Sequence, residues 1–411
     1  MAISDTRLLE RKSIIGVCAE AGPGTPADHA GASVGWIPCY EMSFTPEISL
    51  IERDILSPSL ASEQTDSVGT QFARVTFKCD VMGSNTAPSA VTVAAGTGGL
   101  SYKTGMPQWM LALRGCGFFN YYTTWEDLGG NSSEFGTAKS WNVMLPSNTP
   151  PQIGIDSAST LGDGFDKQCT LSLFFWQDGR QYTITGAMGN VTFSGTAGDL
   201  LYANFEFLGV LNAVEGSELD PSSAYDSVTP TPLSRTDKLS WSIPQVQLDG
   251  SYTPPTSSWE LNMNNTYDIY KDINTDKAGK YACIYESKPT LTITTLGYDA
   301  GSTELLASKM IAGTTGRFQT VAGIAGTSGT KVQQFLFGVP VTSVTSLDVG
   351  EETGYVTENS TCKISVGSST PADDRTILTA PAGRSLWLAY GAQVQSAFLS
   401  NGNIEDPTDN A

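Results

Sequence analysis

The sequence is poor in the residues that catalytic and metal sites use most. It contains a single histidine, His29, in a loop-like stretch, and its seven cysteines are scattered with no C-x-x-C pair. Zinc sites and nucleophilic or acid–base sites need such residues at defined spacings. The motifs of phosphate-binding loops, serine hydrolases and zinc proteases are also missing. The sequence therefore offers no candidate catalytic residue, cofactor site or metal site, and we expect a structural protein and not an enzyme.

Basic charge and long apolar runs are scarce as well. Lys and Arg number 23 against 42 Asp and Glu, which gives a net charge of −19. A chain of this charge repels phosphate, which argues against a general binder of nucleic acid or of anionic membranes. No run is long enough for a membrane span or a signal peptide. We therefore expect folding in a reducing cytosol, with the cysteines unpaired and mostly packed in the core.

What the sequence does contain is strand-like alternation punctuated by turn residues. With 411 residues, 40% hydrophobic and only 16% charged, it has room for two folded domains. The fold class predicted is mainly β, with an N-terminal arm at Thr6–Val17 ahead of the first strand. Strands are predicted at Val34–Leu50, Thr70–Met82, Thr170–Trp176, Gln181–Gly186, Gly189–Ser194, Leu200–Leu208, Leu239–Leu248, Trp259–Met263, Pro289–Leu296, Val332–Phe337, Val341–Leu347, Cys362–Val366 and Leu386–Tyr390.

Two short helices are predicted among these strands. The first spans Pro107–Gly117, where Trp109, Met110 and Leu113 share one face and Pro107 suits the first turn. The second spans Ser302–Ala312. Each is followed by a glycine suited to ending a helix, Gly117 or Gly313.

The same order of elements occurs twice. Residues 36–117 and 258–313 both read as strand, long loop, strand and helix, and each loop carries a charged kernel between isoleucines. The strands after the loops, Ala73–Cys79 and Pro289–Thr295, align with each other. We therefore predict two domains, 1–235 and 236–379, joined by the Pro-rich segment Glu215–Leu233 and followed by a C-terminal strand and acidic tail in 380–411.

The long loops are unusually apolar and aromatic for exposed segments. One interpretation is that each loop folds back over its own core. The other is that these side chains are buried in a neighbouring subunit, with the charged kernel fixing the register. On the second interpretation, the ring-stacking interface consists of Ile51, Glu52, Arg53, Asp54, Ile55, Leu56, Leu60, Tyr267, Ile269, Tyr270, Lys271, Asp272, Ile273, Tyr281 and Tyr285.

Five segments, taken in order, resemble one protein family. They are Arg7–Lys12, Glu20–Pro26, Ile51–Leu56, Ser67–Thr70 and Leu113–Phe118, and their order is similar to that of the tail tube proteins of long-tailed, non-contractile bacteriophages. The similarity covers most of residues 6–210 and returns weakly in 240–367. In the second copy Tyr270-Lys271 replaces Glu52-Arg53, which leaves open whether that copy lines the tube or decorates its outside.

The resemblance implies a fold and a role. Each domain would be a β-sandwich with a flanking helix, and three chains would present six such domains in a homotrimeric, pseudo-hexameric ring whose inner sheets close into a β-barrel. Stacked rings would form the virion tail, assembled in the host cytoplasm with tail-tip, tail-terminator and tape-measure-type proteins. Double-stranded DNA would pass through as non-adhering cargo, which an acidic lining favours. The resemblance implies no cofactor and no membrane partner.

Two other readings remain open at this stage. A carbohydrate-binding or adhesin-type β-sandwich is suggested by the Trp, Tyr and Asn content. A tail-tip or decoration subunit of a virion could use the same fold.

The loop interpretation gives a first testable prediction. Ile55→Ser combined with Leu56→Ser should leave the fold intact but abolish stacking, because each buried aliphatic side chain contributes about 1.5 to 3 kcal/mol and every ring repeats the loss. Circular dichroism and light scattering measure the two effects separately. An unfolded variant, or tubes identical to those of the parent, would contradict the prediction.

Overall fold

The chain folds as a mainly β protein built around antiparallel sheet. The computed structural model describes residues 13–20, 22–27, 34–51, 67–81, 107–124, 140–146, 169–177, 180–216, 247–248, 255–296, 310–313, 315–323, 331–352, 355–365 and 386–394. Sixteen strands belong to one sheet, and two more form a separate hairpin. Every strand pair in the described ranges is antiparallel, in agreement with the predicted fold class.

Ten strands and one helix occupy the first part of the chain. They are β1 (Ser13–Ala19), β2 (Gly35–Ile37), β3 (Glu41–Ile51), β4 (Ser67–Asp80), α1 (Gln108–Gly115), β5 (Phe118–Thr124), β6 (Ser140–Pro146), β7 (Leu171–Gln177), β8 (Arg180–Thr196), β9 (Leu201–Gly216) and β10 (Gln247–Leu248). Residues Ser13–Val17 of the predicted arm are therefore part of a strand, β1, which lies between β2 and β7. Burial of Ile15 and Val17 explains the difference.

Eight further strands complete the fold. They are β11 (Thr256–Asn262), β12 (Asn265–Tyr270), β13 (Tyr281–Ser287), β14 (Thr290–Leu296), β15 (Thr315–Gly323), β16 (Lys331–Glu352), β17 (Tyr355–Ile364) and β18 (Trp387–Val394). Of the predicted second helix, the structure describes only residues 310–312 as helical, followed by Gly313 with φ of 62°. Most of the predicted strand Leu239–Leu248, the Pro-rich linker and the acidic tail lie outside the described residues.

Two long strands replace pairs of predicted ones. The predicted break between Gln181–Gly186 and Gly189–Ser194 is a bulge inside β8, where the register shifts and Gly186 has φ of 61°. In the same way β16 unites two predicted strands. Conversely, the predicted strand Val34–Leu50 is divided into β2 and β3. A long strand with a bulge can change direction without losing its hydrogen-bonded partners, so β8 and β16 each pair with different strands along their two halves.

A four-strand order occurs twice in the sheet. The first set runs β3-β4-β9-β8 and the second runs β11-β14-β17-β16. In both sets the strands stand in the order first, second, fourth, third along the chain. The sets are hydrogen-bonded to each other through β8 and β11, so they form eight consecutive strands. The repeat seen in the sequence thus has a counterpart in the strand order.

The helix and an aromatic cluster fill the core behind these strands. Helix α1 is buried along its length and contacts β1, β2, β5, β7 and β8. Pro107 precedes it and Gly117, with φ of 86°, follows it, as predicted. At the centre, the ring of Trp259 lies 5.3 Å from that of Phe337 and 5.7 Å from that of Phe318. The two four-strand sets therefore share one hydrophobic core.

All seven cysteines are free thiols, as predicted. Five are buried, and Cys39 and Cys283 are partly exposed. Burial raises the pKa of the Cys79 and Cys116 thiols well above the usual value. These thiols stay protonated at neutral pH, which is typical of cysteines that pack as small apolar residues.

One buried carboxylate fastens the N-terminal segment to the sheet. The side chain of Glu20 accepts hydrogen bonds from Gly186 N at 2.7 Å, Ser172 Oγ at 2.8 Å, Thr170 Oγ1 at 2.6 Å and Gly24 N at 2.8 Å. Burial raises the pKa of this carboxyl, and the four hydrogen bonds partly offset the rise by favouring the ionised form. Without Glu20, two backbone donors would lose their acceptor in the interior.

Glu20→Ala should lower the free energy of unfolding by about 3 kcal/mol or more, because a buried donor without an acceptor costs about 1 to 3 kcal/mol. Urea unfolding of the unassembled protein measures this difference. The control is Glu260→Ala, an exposed glutamate on β11, which should change stability by about 0.5 kcal/mol at most. Equal effects of the two variants would show that Glu20 does not fasten the segment.

Candidate functional site

The internal joint between the two strand sets is a short antiparallel ladder. Five residue pairs connect β8 and β11, from Ser258 opposite Thr196 to Asn262 opposite Thr192. On the core side of this joint Leu261 and Phe193 are fully buried, and Trp259 is 4% exposed. The joint shows what a complete contact between two strand sets looks like in this protein.

The eight-strand run ends in two strands that lack such a contact. Among the described residues, β3 pairs only with β4, and the last part of β16, Ser346–Glu352, pairs only with β17. Strand edges of this kind present unpaired N–H and C=O groups and are sites where another chain can add. The two edges lie at opposite ends of the run, so a second copy could join one edge to the other.

Apolar side chains at both edges are incompletely covered. Met42 and Phe44 on β3 and Leu347 on β16 are only partly buried, although they pack against the core. Val349 on β16 is 68% exposed. Phe44 contacts the rings of Tyr182 and Phe175 within the chain, at centroid distances of 4.4 and 5.5 Å. The uncovered apolar surface is therefore concentrated where the strand order stops.

At each end of the strand run, one strand pair extends beyond its neighbouring strand. At one end β3 and β4 continue beyond the last pair with β9, and Ile48, Leu50, Ile51 and Val68 are exposed there; we call this the β3–β4 tip. At the other end β16 and β17 continue beyond the last pair with β14. Tyr355 and Val356 are exposed there; we call this the β16–β17 tip.

The second long loop, predicted between the strands Trp259–Met263 and Pro289–Leu296, instead forms β12 and β13, a hairpin that packs on its own chain. Ile269, Ala282 and Ile284 are buried against Phe72, Met188, Leu208 and Val210. The prediction of a loop was wrong here, because the alternating apolar residues on both sides of a turn satisfy a strand pair. Gly186 lets the hairpin approach β8 closely, since a Cβ there would lie 2.6 Å from the Cα of Tyr281.

The predicted ring-stacking residues are thus distributed over different environments. Ile269 is a core residue, and Tyr267 is half-buried against the same cluster. Exposed positions are occupied by Ile51, Tyr270, Ile273 and Tyr285. Lys271 is exposed, Asp272 and Tyr281 are partly exposed, and the rings of Tyr270 and Tyr281 stack at 5.6 Å. Glu52, Arg53, Asp54, Ile55, Leu56 and Leu60 lie outside the described residues.

Sequence reasoning missed the β16–β17 tip and the apolar residues Ile48, Leu50, Val68 and Val349. The pair of apolar residues at Tyr355-Val356, directly after Glu351-Glu352-Thr353-Gly354, was the available signal. An apolar pair in such an acidic and polar stretch of sequence is unusual for an exposed segment.

The sheet face opposite the core is covered at one end by the β12–β13 hairpin, and beyond it this face is polar and bears closely matched charges. Arg74 donates a hydrogen bond to Glu47 at 3.2 Å and another to Glu206. Lys78 lies directly opposite Glu41 on β3, and its Nζ sits 4.4 Å above the ring of Tyr202. Side chains of the following strands on this face are Asn190, Thr192, Ser194, Asn204, Glu260, Asn262, Thr290, Thr292, Thr294, Asp348, Asn359, Thr361 and Lys363.

No group of three or more His, Cys, Asp or Glu side chains positioned to hold a metal ion occurs in the described ranges. Nor does any helix in this part of the chain have the length and hydropathy to cross a membrane. What the arrangement offers is surface for assembly: two sheet edges and two hairpin tips.

Comparison with known protein families and with curated proteins finds no match to this chain.

Proposed function

We propose that this protein is a structural virion subunit that closes into three-chain rings, which stack into the hollow tail tube of a long-tailed bacteriophage. The observation that carries the proposal is the pairing of the eight-strand run. In its middle, β8 and β11 pair with each other, whereas β3 at one end and the last part of β16 at the other each have one strand partner among the described residues. Joining the ends of successive chains repeats the internal joint. Three chains then give a closed barrel with three times the eight strands.

The internal joint supplies the register of the proposed contact. Phe44 lies opposite Val75 on β4, as Leu261 lies opposite Leu291 on β14. The two pairs correspond to each other because Val75 and Leu291 are each the third residue of the aligned strands Ala73–Cys79 and Pro289–Thr295. Phe44 of one chain therefore takes the place of Leu261 in the new joint.

The residue that would contact Phe44 in the neighbouring chain follows from a comparison of β8 with β16. Phe193 on β8 lies opposite Ala203, and Val349 on β16 lies opposite Glu358, four positions before Cys362. When the extra residue of the bulge near Val344 is left out of the count, Val349 has the same position on β16 as Phe193 has on β8. Because Phe193 faces Leu261 in the internal joint, Val349 faces Phe44 of the next chain in the proposed one. This contact would bury the side chain that is now 68% exposed.

The proposed ladder has a defined end. With this register, residues Glu41–Thr45 pair with Asp348–Glu352, and the next residue on β3 is Pro46. Proline has no N–H to donate and is confined to edges and ends of ladders. At the matching position of the internal joint, Met263 donates its N–H to Val191 O at 3.2 Å. The joint between chains is therefore one hydrogen bond shorter than the joint within a chain.

A barrel made in this way has its core on the outside, and on the inside the polar sheet face with the β12–β13 hairpin at one end. Barrels of 16 to 18 strands already leave an aqueous channel, and diameter grows with strand number. A wider barrel gives a channel suited to a large polar cargo such as duplex DNA. Closure also removes the exposed edges that would otherwise cause disordered aggregation.

Val349→Glu should prevent ring closure while the chain stays folded, because it places a further carboxylate in a contact that buries apolar side chains and already brings Glu41 opposite Glu352. The control is Ile311→Glu, which changes an 86% exposed side chain at the end of the second helix. Negative-stain electron microscopy and light scattering should show rings for the parent and the control, and monomers for Val349→Glu. Six-chain rings with the second set outside, or rings formed by Val349→Glu, would contradict the proposal.

The charges of the polar face suit a conduit that does not retain DNA. The cations of the first set, Arg74 and Lys78, are already matched by carboxylates or an aromatic ring. Unmatched carboxylates such as Glu260 and Asp348 leave this face net negative. Repulsion acts over about 8 Å at physiological ionic strength, so it keeps the duplex off the wall without blocking passage.

Assembled tubes of the parent should show no measurable affinity for double-stranded DNA at physiological salt. Glu47→Gln with Glu206→Gln should create salt-sensitive retention, because it frees Arg74 in every chain of every ring. Asp268→Asn with Asp276→Asn removes the same charge from the β12–β13 hairpin without freeing Arg74, and should retain little DNA. Retention by the parent, or equal retention by both double variants, would show that Arg74 is not neutralised as described.

A further inference from the structure

The joint inside the chain pairs one large and one smaller apolar side chain. Phe193 on β8 lies opposite Leu261 on β11, and both side chains are fully buried. The ring of Phe193 packs between those of Trp109 and Phe337, each at a centroid distance of 6.2 Å. The large side chain of this joint therefore comes from β8, the third strand of its set along the chain, and is braced by two aromatic rings.

The open edge at β3 also carries an aromatic side chain braced by two rings. Phe44 lies 4.4 Å from the ring of Tyr182 and 5.5 Å from that of Phe175, and these two rings are 5.7 Å apart. Phe175 is buried, so the seat of Phe44 is already formed in the single chain. A side chain that is held in place before binding loses little conformational freedom when a partner arrives. Phe44 is therefore a preformed large residue at one end of the strand run.

The other open edge offers a smaller side chain. Val349 is 68% exposed and has the position on β16 that Phe193 has on β8. In the proposed joint the large residue thus comes from the first strand of a set and the smaller one from the third, which is the reverse of the internal joint. A Phe–Leu pair and a Phe–Val pair differ by a single methylene group. Both joints therefore fill nearly the same space between their strands.

From this exchange of sizes we infer that the match between Phe44 and Val349 selects which edges join, so that β3 of one copy accepts β16 of a second copy and rejects another β3. The inference rests on the proposed function. Two β3 edges paired about a two-fold axis would place Phe44 opposite a second Phe44 or opposite Met42, and overpacking of this kind is destabilising. The remaining register places Phe44 opposite Pro46, which has no N–H to donate.

Two β16 edges are no better matched to each other. Their pairing would set small side chains such as Val349 against one another and leave a gap. It would also bring two copies of Asp348 and of Glu351 into one ladder, where like charges are destabilising. Pairing of like edges gives a closed pair of chains, whereas pairing of unlike edges gives a head-to-tail series that can close into a ring. The Phe44–Val349 pair thus determines the kind of assembly as well as its register.

Substitutions of Val349 test the size match without changing a buried residue. Burial of apolar surface alone predicts that joints strengthen with side-chain size, from Val349→Ala through the parent to Val349→Phe. Size matching predicts that valine is best. Both variants should then raise the protein concentration that gives half-maximal ring formation by about tenfold or more, one through a gap and the other through overpacking. Sedimentation velocity measures this concentration, and circular dichroism verifies the fold.

A second substitution on β3 tests whether the match is local. Phe44→Leu with Val349→Phe recreates the internal pair between chains, so the half-maximal concentration should return to within about threefold of the parent value. The matched control is Met42→Ala with Val349→Phe, which makes room at the neighbouring core-facing residue of β3 and should not restore rings. Equal behaviour of the two double variants would show that Phe44 and Val349 do not meet. If Phe44→Leu disturbs the fold, the two Val349 variants decide the matter alone.

The possible results separate the inference from the proposed function. If the parent forms no rings at any concentration, the proposed function fails and the inference fails with it. If the parent forms rings but Val349→Phe strengthens them, size selection is wrong while the ring proposal stands. Closed two-chain species of the parent that persist beside rings as the concentration rises would likewise show that like edges are not rejected.

Discussion

Backbone hydrogen bonding between β8 and β11 joins the two strand sets, and the rest of the fold depends on it. The ladder is only five residue pairs long, yet it makes the hydrophobic core continuous across the sequence repeat. Trp259 from the second set and Phe193 from the first both pack on Phe337. Because the core spans the joint, neither set can move away without exposing these rings. A short ladder supported by large aromatic side chains is therefore sufficient as a connection between sets.

The same physics explains why apolar side chains stay partly uncovered at the ends of the run. An edge strand leaves backbone groups without strand partners, and the side chains beside it lose half of their packing neighbours. Met42, Phe44, Leu347 and Val349 are in this position, whereas their counterparts at the internal joint are buried. Pro46 limits how far β3 can pair with a further strand. Edge strand β3 is therefore suited to a short ladder that ends before Pro46 and not to a longer one.

The sequence predicted the individual elements better than their connections. Strands β7 and β14 and helix α1 were close to their predicted bounds, since alternation and the helical spacing of Trp109, Met110 and Leu113 are local signals. Strands β8 and β16 were each divided in two, because the bulge at Gly186 and the sequence Gly338-Val339-Pro340 both look like turns. The role of Glu20 was missed, since its hydrogen-bond partners lie about 150 residues away. The order of strands, which defines the candidate site, depends on such long-range pairing and has no local signature.

The acidity of the chain sets a limit on how tightly the proposed joints can hold. The register that places Phe44 against Val349 also places Glu41 against Glu352 and Met42 against Glu351, so carboxylates gather where two chains meet. Like charges directly opposite each other in a sheet are destabilising, whereas burial of apolar side chains in the same ladder stabilises it. Salt weakens the repulsion and leaves apolar burial largely unaffected. A joint with this balance is weaker than the internal one in dilute buffer and strengthens with ionic strength. In the proposed ring, such a balance would keep single chains dispersed before assembly and would favour closure once several joints form together.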